Sequence, residues 1–271
     1  MKISASIVLY KSDPVMVEEL IQCFFNSSLN GALYLIDNSP TDELLELIGS
    51  NSKIRYYHLP NNPGFGTAHN FAIREVIGKG DYHFIINPDI KFGSEVIKEL
   101  ILWTKGKEDV GAVMPRVVYP NNQVQFLTKI LPSPFILVIR RIRLLKPLYK
   151  KKCDQYELRH IEPRNLKNVP FLSGCFLLLD LNNLNEELLF DERYFMFFED
   201  VDLCRKLNKA GLKTLYCNDV TVIHDHVAKS FFKGKYLKMY LQSAIQYFNK
   251  WGWFYDSDRE YYNKKAIEQI E

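Results

Sequence analysis

The sequence predicts an α/β fold built on a mostly parallel sheet that is wrapped by helices. Two observations support this prediction. Over roughly the first ninety residues, short runs of β-branched and aromatic residues alternate with longer segments of helical periodicity. The chain has 271 residues, of which 47% are hydrophobic and 25% charged, so it can bury a sizeable core without disulfide bonds. Alternation at this spacing is typical of a parallel sheet.

Four strands and four helices are predicted in order along the first half. Pro14 follows Asp13 at a helix start, and Thr41 precedes the second helix as its cap. The fourth strand must end near Pro88, because proline has no N–H to continue the ladder and restricts Asn87 to extended geometry. The predicted strands are 3–10, 32–36, 54–59 and 81–86, and the predicted helices are 14–27, 41–49, one that ends at 77, and 94–105.

The second half has a looser pattern. Residues 119–168 are rich in Pro, Lys and Arg with weak periodicity, which favours an excursion or lid. The apolar run 169–181 is shorter than a membrane helix and predicts a buried strand or strand pair. The other predicted elements are a strand in 110–118, a helix that stops at Gly211, a strand to His224 and an aromatic-rich helix over 230–253.

The net charge of the chain is small, but basic residues are concentrated in one segment. A net charge of +3 is too small to indicate nucleic-acid binding. Residues 140–152, "RRIRLLKPLYKKK", contain three arginines, four lysines and no acid. Two interpretations stay open: a solvated charged face, or a patch that contacts anionic lipid headgroups or a phosphate-rich substrate.

Cysteine usage and hydropathy indicate the compartment. The five cysteines are widely spaced and form no C-x-x-C pair, so neither a zinc site nor a disulfide framework is expected. The apolar run after Met1 is too short and too β-branched for a signal peptide, and no segment approaches the roughly 18–20 apolar residues that span a bilayer. We expect a cytoplasmic protein, either free or lying on the inner face of the cell membrane.

Polar residues follow the predicted strands where a doubly wound sheet places its ligands. Tyr10 follows the first strand, and Asp37 and Asn38 follow the second; as an alternative, the latter two form an Asx turn. In "NNPGFGTAHN" a glycine turn feeds a helix, so backbone N–H groups there are candidates to face phosphate, with plain turn chemistry as the alternative. Asn70, in the first turn of that helix, would point back at the crevice.

Asp89 and His224 are candidate metal ligands. Asp89 follows the fourth strand, where a single carboxylate can suffice for Mg²⁺ or Mn²⁺ if a diphosphate supplies further oxygens. A turn residue is the alternative. In "VIHDH", His224 and His226 flank Asp225 at a strand end, and a structural role is the alternative for them.

A second cluster of acids lies in "FFEDVDLCRK". Acids at a helix start are favoured by the helix dipole, which is one explanation. The aromatic run 194–198 leads directly into them, and a carboxylate beside aromatic walls is desolvated and becomes a better base. We expect Arg205 to pair with Glu199 or Asp202, which would leave Asp200 free for chemistry.

Taken together, these segments resemble the inverting family 2 glycosyltransferases, whose GT-A fold is Rossmann-like. More narrowly, they resemble the rhamnosyltransferase-like branch that builds bacterial surface polysaccharides such as O-antigen. Six segments between about residues 3 and 226 match in the expected order: "SIVLY", "LIDNSPTD", "NNPGFGTAHNFAI", "FIINPDI", "LSGCFLLL" and "YFMFFEDVDLCRKLNKAGLKTLYCNDVTVIHDH".

The resemblance implies a role for each candidate. Asp200 would be the general base, with Glu199 and Arg205 supporting it. Asp89 and His224 would bind a divalent cation, Mn²⁺ or Mg²⁺, and Asn87 replaces the first acid of the family's D-x-D motif. The donor, a dTDP- or UDP-sugar, would contact Tyr10, Asp37, Asn38, Gly64, Phe65, Gly66, Asn70, Asn87, Asp89, Ser173 and Gly174.

The resemblance also implies the partners and the organisation. Residues 1–226 would form the catalytic domain, and 227–271 a helical segment packed on it. The acceptor would be a glycan or a polyprenyl-diphosphate-linked glycan. The basic, aromatic segment 229–253 packs on the core or, together with 140–152, faces an anionic membrane. A nucleotidyltransferase and a non-catalytic sugar-nucleotide-binding protein are the alternative functions.

Overall fold

One mixed sheet of eight strands organises the molecule. The computed structural model describes residues 1–27, 31–48, 51–140, 142, 147–161, 167–225 and 234–268. The strands are β1 (Ile3–Leu9), β2 (Gly31–Asp37), β3 (Ile54–His58), β4 (Tyr82–Ile86), β5 (Ile90–Lys91), β6 (Val110–Val118), β7 (Phe176–Asp180) and β8 (Lys213–His224). Their order across the sheet is β3-β2-β1-β4-β7-β6-β8-β5.

The sheet is parallel in its first half and mixed in its second. β3, β2, β1 and β4 are parallel neighbours, as are β6 and β8. β7 runs antiparallel to both β4 and β6, and β5 runs antiparallel to β8. The predicted fold class, a mostly parallel mixed sheet with flanking helices, is confirmed. The predicted strand after residue 169 is the short β7.

Nine helices lie in the described residues. They are α1 (Pro14–Asn26), α2 (Leu45–Ile48), α3 (Phe65–Val76), α4 (Val96–Thr104), α5 (Pro134–Ile139), α6 (Lys150–Tyr156), α7 (Glu199–Lys209), α8 (Lys235–Trp251) and α9 (Ser257–Ile267). Within this described part of the chain, none has both the length and the apolar character needed to cross a bilayer. Of the predicted helix 230–253, residues 230–233 lie outside the described residues.

The predicted helix 41–49 is the main disagreement among the early elements. Over its described residues only the single turn α2 forms, and the Thr41 hydroxyl donates to the Glu43 carboxylate at 3.0 Å. The first helix shows the expected cap: Asp13 accepts a hydrogen bond from the Val15 amide at 2.9 Å, and Pro14 is the first helical residue.

A chain of buried polar side chains crosses the centre of the sheet. The two ring nitrogens of His83 on β4 lie 2.8 Å from the hydroxyls of Ser4 and Ser6 on β1. The Ser6 hydroxyl is also 2.6 Å from Nδ1 of His69 on α3. Burial lowers the pKa of His83 to about 3, and burial together with His83 lowers the pKa of His69. Both rings are therefore neutral in the folded protein.

The C-terminal helices are held on α7 by buried charges. The Arg205 guanidinium forms a bidentate pair with Asp256, one bond being 2.7 Å, and both side chains are almost fully buried. Asp202 accepts hydrogen bonds from Lys250 at 2.8 Å and from the Trp251 indole at 2.6 Å. The pairing of Arg205 with Glu199 or Asp202 was therefore wrong, because Asp256 offers the guanidinium both of its oxygens.

The neutral histidines predict a loss of stability in mild acid. A histidine with a depressed folded-state pKa stabilises the fold above its unfolded pKa near 6.5, and that stability is lost as the pH falls. For His83 alone, we expect a loss of about 2 kcal/mol in the free energy of unfolding between pH 7.5 and 5. Urea unfolding of wild type and His83→Gln at both pH values measures it. The expectation is contradicted if the two proteins lose equal stability.

Candidate active site

The carboxyl ends of β1, β2 and β4 form one side of the candidate site. Asp37 is fully buried, and its carboxylate accepts the Ser39 amide at 2.9 Å and the Tyr56 hydroxyl at 2.7 Å. The Asn38 amide nitrogen donates to the Gly64 carbonyl at 3.3 Å, whereas its buried carbonyl oxygen accepts no hydrogen bond from the described residues. Such an oxygen is suited to a ligand that supplies a donor. Tyr10 is half exposed beside them.

The glycine turn before α3 is locked against the chain that precedes α7. Gly64 has φ +101° and ψ 177°, a conformation that is essentially restricted to glycine. A Cβ there would lie 2.4 Å from the Phe195 carbonyl oxygen, and a Cβ on Gly66 would lie 2.9 Å from the Cβ of Phe190. The Phe65 amide donates to Phe195 O at 3.0 Å, so this amide is already used within the protein.

Asn70 has a structural partner in place of the crevice. Its amide nitrogen donates to the Phe190 carbonyl at 2.8 Å, and its oxygen accepts the Phe190 amide at 2.9 Å. The nitrogen also lies 3.1 Å from a Glu192 carboxylate oxygen. The side chain is fully buried. Asn70 therefore ties α3 to residues 190–192, and its amide does not point back at the crevice as the sequence suggested.

Gln125 fixes the orientation of His224 toward Asp89. The Gln125 amide nitrogen donates to the His224 carbonyl at 2.8 Å, which leaves its oxygen 2.9 Å from Nδ1 of the same histidine. Nδ1 must then carry a hydrogen, and in the neutral ring Nε2 is an acceptor. Nε2 lies 3.2 Å from an Asp89 carboxylate oxygen. Two acceptors at this distance repel each other unless a cation or a proton lies between them.

The pair formed by Asp89 and His224 fits a divalent cation that receives its other ligands from elsewhere. Carboxylate oxygen and imidazole nitrogen both bind Mn²⁺, and a histidine ligand is commonly held through its other nitrogen, as Gln125 does here. Among the described residues, no group of three or more His, Cys, Asp or Glu side chains is placed to hold a metal ion. His226 lies outside the described residues.

The segment before β7 joins the strand ends to Asp200. β4 and β7 pair with Ile86 opposite Phe176, and the Asn87 amide donates to the Cys175 carbonyl at 2.9 Å. The neighbouring Gly174 amide donates to Asp200 at 3.1 Å. A Cβ on Gly174 would lie 3.3 Å from the Phe65 ring and 3.5 Å from the Cβ of Asp200. The consecutive residues Gly174 and Cys175 therefore hold Asp200 and Asn87 close to each other.

Asp200 stands in the first turn of α7 with Glu199 before it. The helix follows two strained residues, Phe197 and Phe198, with φ of 70° and 66°. The second Asp200 oxygen accepts the Val201 amide at 2.8 Å. Burial raises the pKa of Asp200, while the Gly174 amide and the charge of Lys129 oppose the rise. Burial and the Asp200 charge raise the pKa of Glu199.

A cavity of about 880 Å³ opens beside Asp200. Ser173 and the Glu199–Asp200 pair form one part of its wall. Four cationic side chains also line it: Lys129, Arg140, Lys150 and Arg159. The aromatic part of the wall comes from Tyr156, Phe171, Phe197, Phe198 and Tyr240.

Sequence reasoning missed most of this cavity, together with Gln125. Their positions fall in or beside the segment 119–168, whose weak periodicity gives no sign of which residues face a site. Lys129 is among the residues missed; burial lowers its pKa to about 8, with the nearby Arg140 adding to the effect. Its ammonium lies 5.2 Å from the centre of the Phe171 ring.

A crevice at strand ends, an acidic pair and a large cavity adjoin one another in this candidate site. The class is a glycosyltransferase: the family model described as glycosyl transferase family 2 matches residues 4–173. The chain belongs to this family.

Relatives with known functions include sugar transferases from bacteria and an archaeon. N-acetylglucosaminyl-diphospho-decaprenol L-rhamnosyltransferase of Mycobacterium tuberculosis is 29% identical over 82% of this chain and 75% of its own. Rhamnosyltransferase WbbL of Escherichia coli K12 is 35% identical over 68% of this chain and 69% of its own. The low-salt glycan biosynthesis hexosyltransferase Agl10 of Haloferax volcanii is 24% identical over 86% of this chain and 71% of its own. The resemblance to the rhamnosyltransferase-like branch is confirmed.

Solved glycosyltransferase structures share the fold. GalNAc-T7 was determined with UDP, GalNAc and Mn²⁺. It gives a TM-score of 0.64 at 13% identity, and the match covers all of this chain and 51% of GalNAc-T7. S. aureus TarS gives 0.60 at 13% identity over 99% of this chain and 43% of TarS. The mannosyltransferase PcManGT of Pyrobaculum calidifontis was solved with GDP-Man and Mn²⁺. It gives a TM-score of 0.55 at 13% identity, over 98% of this chain and 84% of PcManGT. The expected GT-A fold is confirmed.

Substitution of Gly64 tests the lock between the glycine turn and residues 190–198. Gly64→Ala should lose more stability than the matched control Gly78→Ala. Gly78 has φ +70° with nothing within 4 Å of a new Cβ, so it bears only the left-handed strain, on the order of 1–2 kcal/mol. Gly64 adds an overlap with the Phe195 carbonyl. Chemical denaturation measures both; equal losses would show that the loops are not locked together.

Proposed function

We propose that this glycosyltransferase is inverting and moves rhamnose or another hexose from a nucleoside-diphosphate sugar to an acceptor hydroxyl. The observation that carries the proposal is the position of Asp200. Its carboxylate stands at the wall of the large cavity, and the residues that orient it also hold Asn87, two residues before Asp89. A base and a diphosphate site on adjoining faces are what a single displacement requires.

The donor is assigned to the strand-end crevice. Asp37 and Asn38 offer acceptor oxygens at the end of β2 for a nucleotide, and Asn87 has a buried side-chain oxygen that accepts no hydrogen bond within the described residues. These groups suit the hydroxyls and N–H groups of a nucleotide sugar. A dTDP- or UDP-sugar fits the relationship to rhamnosyltransferases.

Asp89 and His224 are the residues proposed to hold the divalent cation of this site. Two related folds were solved with Mn²⁺ and a nucleotide or nucleotide sugar, which supports a cation here. When bound, such a cation would neutralise the charge that develops on the departing diphosphate. Because the described residues supply only this pair, the diphosphate itself is expected to supply further oxygens.

Asp200 is proposed to be the general base. It removes the proton from the acceptor hydroxyl while that oxygen forms a bond to the anomeric carbon. The bond from this carbon to the diphosphate oxygen breaks on the opposite face, so the configuration inverts. The raised pKa makes Asp200 a stronger base, while Lys129 and the Gly174 amide favour its ionised form. Each carboxylate oxygen keeps a second lone pair for the proton.

The acceptor is proposed to be a glycan linked to a lipid diphosphate. Lys129 and Lys150 line the cavity, and Arg140 and Arg159 there both pair with Glu157. These cations suit a phosphate-bearing molecule that brings its sugar hydroxyl to Asp200. The Mycobacterium tuberculosis relative acts on N-acetylglucosaminyl-diphospho-decaprenol, by its name. A cytoplasmic location at the membrane face, as in cell-surface polysaccharide synthesis, accords with such an acceptor.

Replacing Asp200 with Asn tests the base. The amide keeps the shape and one acceptor oxygen but cannot take the proton, so turnover should fall by roughly 10²- to 10⁴-fold. Binding should persist, measured as thermal stabilisation by dTDP- and UDP-sugars with Mn²⁺. The matched control is Asp219→Asn, a carboxylate outside the cavity wall. Unchanged turnover in Asp200→Asn would refute the assignment.

Substitution of Gln125 tests the proposed cation ligands Asp89 and His224 through Mn²⁺ affinity, independently of turnover. Gln125→Leu removes the partner of His224 Nδ1, and Mn²⁺ affinity in the presence of UDP should fall by roughly 10- to 100-fold. Gln125→Glu keeps an acceptor for His224 Nδ1, so its Mn²⁺ affinity should fall less than that of Gln125→Leu. Gln123→Leu, on an exposed side chain of the same loop, is the control. Electron paramagnetic resonance of free Mn²⁺ gives the affinity, and equal values for all four proteins would refute a cation ligand at His224 that Gln125 positions.

A further inference from the structure

The helix α5 leaves an apolar face uncovered. It buries Ile136, Leu137 and Ile139, but Phe135 and Val138 are 47% and 56% exposed. Two further large apolar side chains follow along the chain, Ile142 at 42% and Leu148 at 74% exposure. Burying such side chains in an apolar phase is favourable, whereas leaving four of them in water is not.

Lysines lie directly beside this apolar face. Lys150, Lys151 and Lys152 form the first turn of α6 and are all exposed. The Lys152 ammonium lies 5.0 Å from the centre of the Phe135 ring, and the Phe135 and Tyr149 rings pack edge to face at 5.4 Å. Helices α5 and α6 therefore present one surface. We call it the α5–α6 face, formed by Phe135, Val138, Ile142, Leu148, Lys150, Lys151 and Lys152.

The α5–α6 face borders the cavity that contains Asp200. Leu137 and Arg140, at the end of α5, line this cavity, and so do Lys150 and Cys153 of α6. The same two short helices therefore carry an outer surface of apolar and cationic groups and an inner surface facing the base. The outer surface and the cavity are therefore separated only by these two helices.

We propose that the α5–α6 face docks on an anionic lipid bilayer and so sets the cavity beside the headgroup layer. This deepens the proposed function and rests on it in one respect, since a lipid-linked acceptor has to be met at a membrane. Exposed aliphatic and aromatic groups enter the headgroup boundary, while flanking lysines contact anionic phosphates. A protein partner of opposite charge would not explain why exposed apolar groups lie beside the lysines on helices that line the cavity.

The charge pattern favours lipid over a soluble partner. In residues 140–152 every charged residue is basic, so attraction to an anionic surface meets no internal acid along that segment. Each lysine near an anionic leaflet adds an increment to membrane affinity that salt screens. The acidic groups nearby, Asp154 and Glu157, face the cavity, and Glu157 is already paired with Arg140 and Arg159.

Vesicle co-sedimentation of the whole chain tests the proposal. The wild type should bind phosphatidylcholine vesicles that contain phosphatidylglycerol, bind pure phosphatidylcholine vesicles poorly, and lose binding in high salt. Lys151→Glu/Lys152→Glu should reduce binding to the anionic vesicles at least tenfold, and Phe135→Ser/Val138→Ser should do so as well. The matched controls, Lys98→Glu/Lys105→Glu and the exposed Leu102→Ser on or beside α4, should bind as the wild type does.

The outcomes separate docking from catalysis. Thermal denaturation checks that each variant folds. Asp200→Asn should bind vesicles as the wild type does, and Lys151→Glu/Lys152→Glu should retain transfer to a water-soluble acceptor sugar. The docking proposal is overturned if the wild type ignores anionic vesicles at low salt, or if folded face variants bind them as tightly as the controls. Failure of the Asp200 test would leave the vesicle result standing.

Discussion

The antiparallel pairing of β4 with β7 is the interaction on which the geometry of the site depends. Because the two strands run in opposite directions, the end of β4 lies beside the start of β7. The main chain at Gly174 and Cys175 therefore meets Asp200 on one side and Asn87 on the other. Gly174 and Cys175 contribute only backbone groups to this link, so it depends on register: a slip of one residue would turn each group to the opposite face.

The two halves of the site have different physical origins. The proposed donor half stands on strand ends of the sheet, where the β1–β2 ladder holds Asp37 and the bond from the Asn87 amide to Cys175 holds Asn87. The proposed acceptor half is built from the segment between β6 and β7, which includes α5 and α6, and from the helices α7 and α8. Loops carried by a rigid scaffold can change without disturbing it, so recognition of the acceptor can vary while the donor half is kept.

The sequence indicates the residues of the proposed donor half far better than those of the proposed acceptor half. The positions of Asp37, Asp89 and His224 at or just after strand ends were predictable because β-branched runs mark the strands. Gln125 and Lys129 were not, since contacts across some 99 residues of chain, such as Gln125 to His224, leave no local periodicity. Asn70 was identified as polar and near the crevice, but its bond to Phe190 depends on a loop approach that only the structure shows.

The buried pair of Arg205 and Asp256 limits how this chain can diverge among its descendants. Loss of Asp256 alone would leave the Arg205 charge inside the protein without its counterpart, which is far more costly than losing both partners. The two positions, 51 residues apart, should therefore change together or stay fixed across lineages. The last helices are thereby inherited with the helix that carries Asp200, and exchange of this segment between relatives would succeed only when both partners are exchanged.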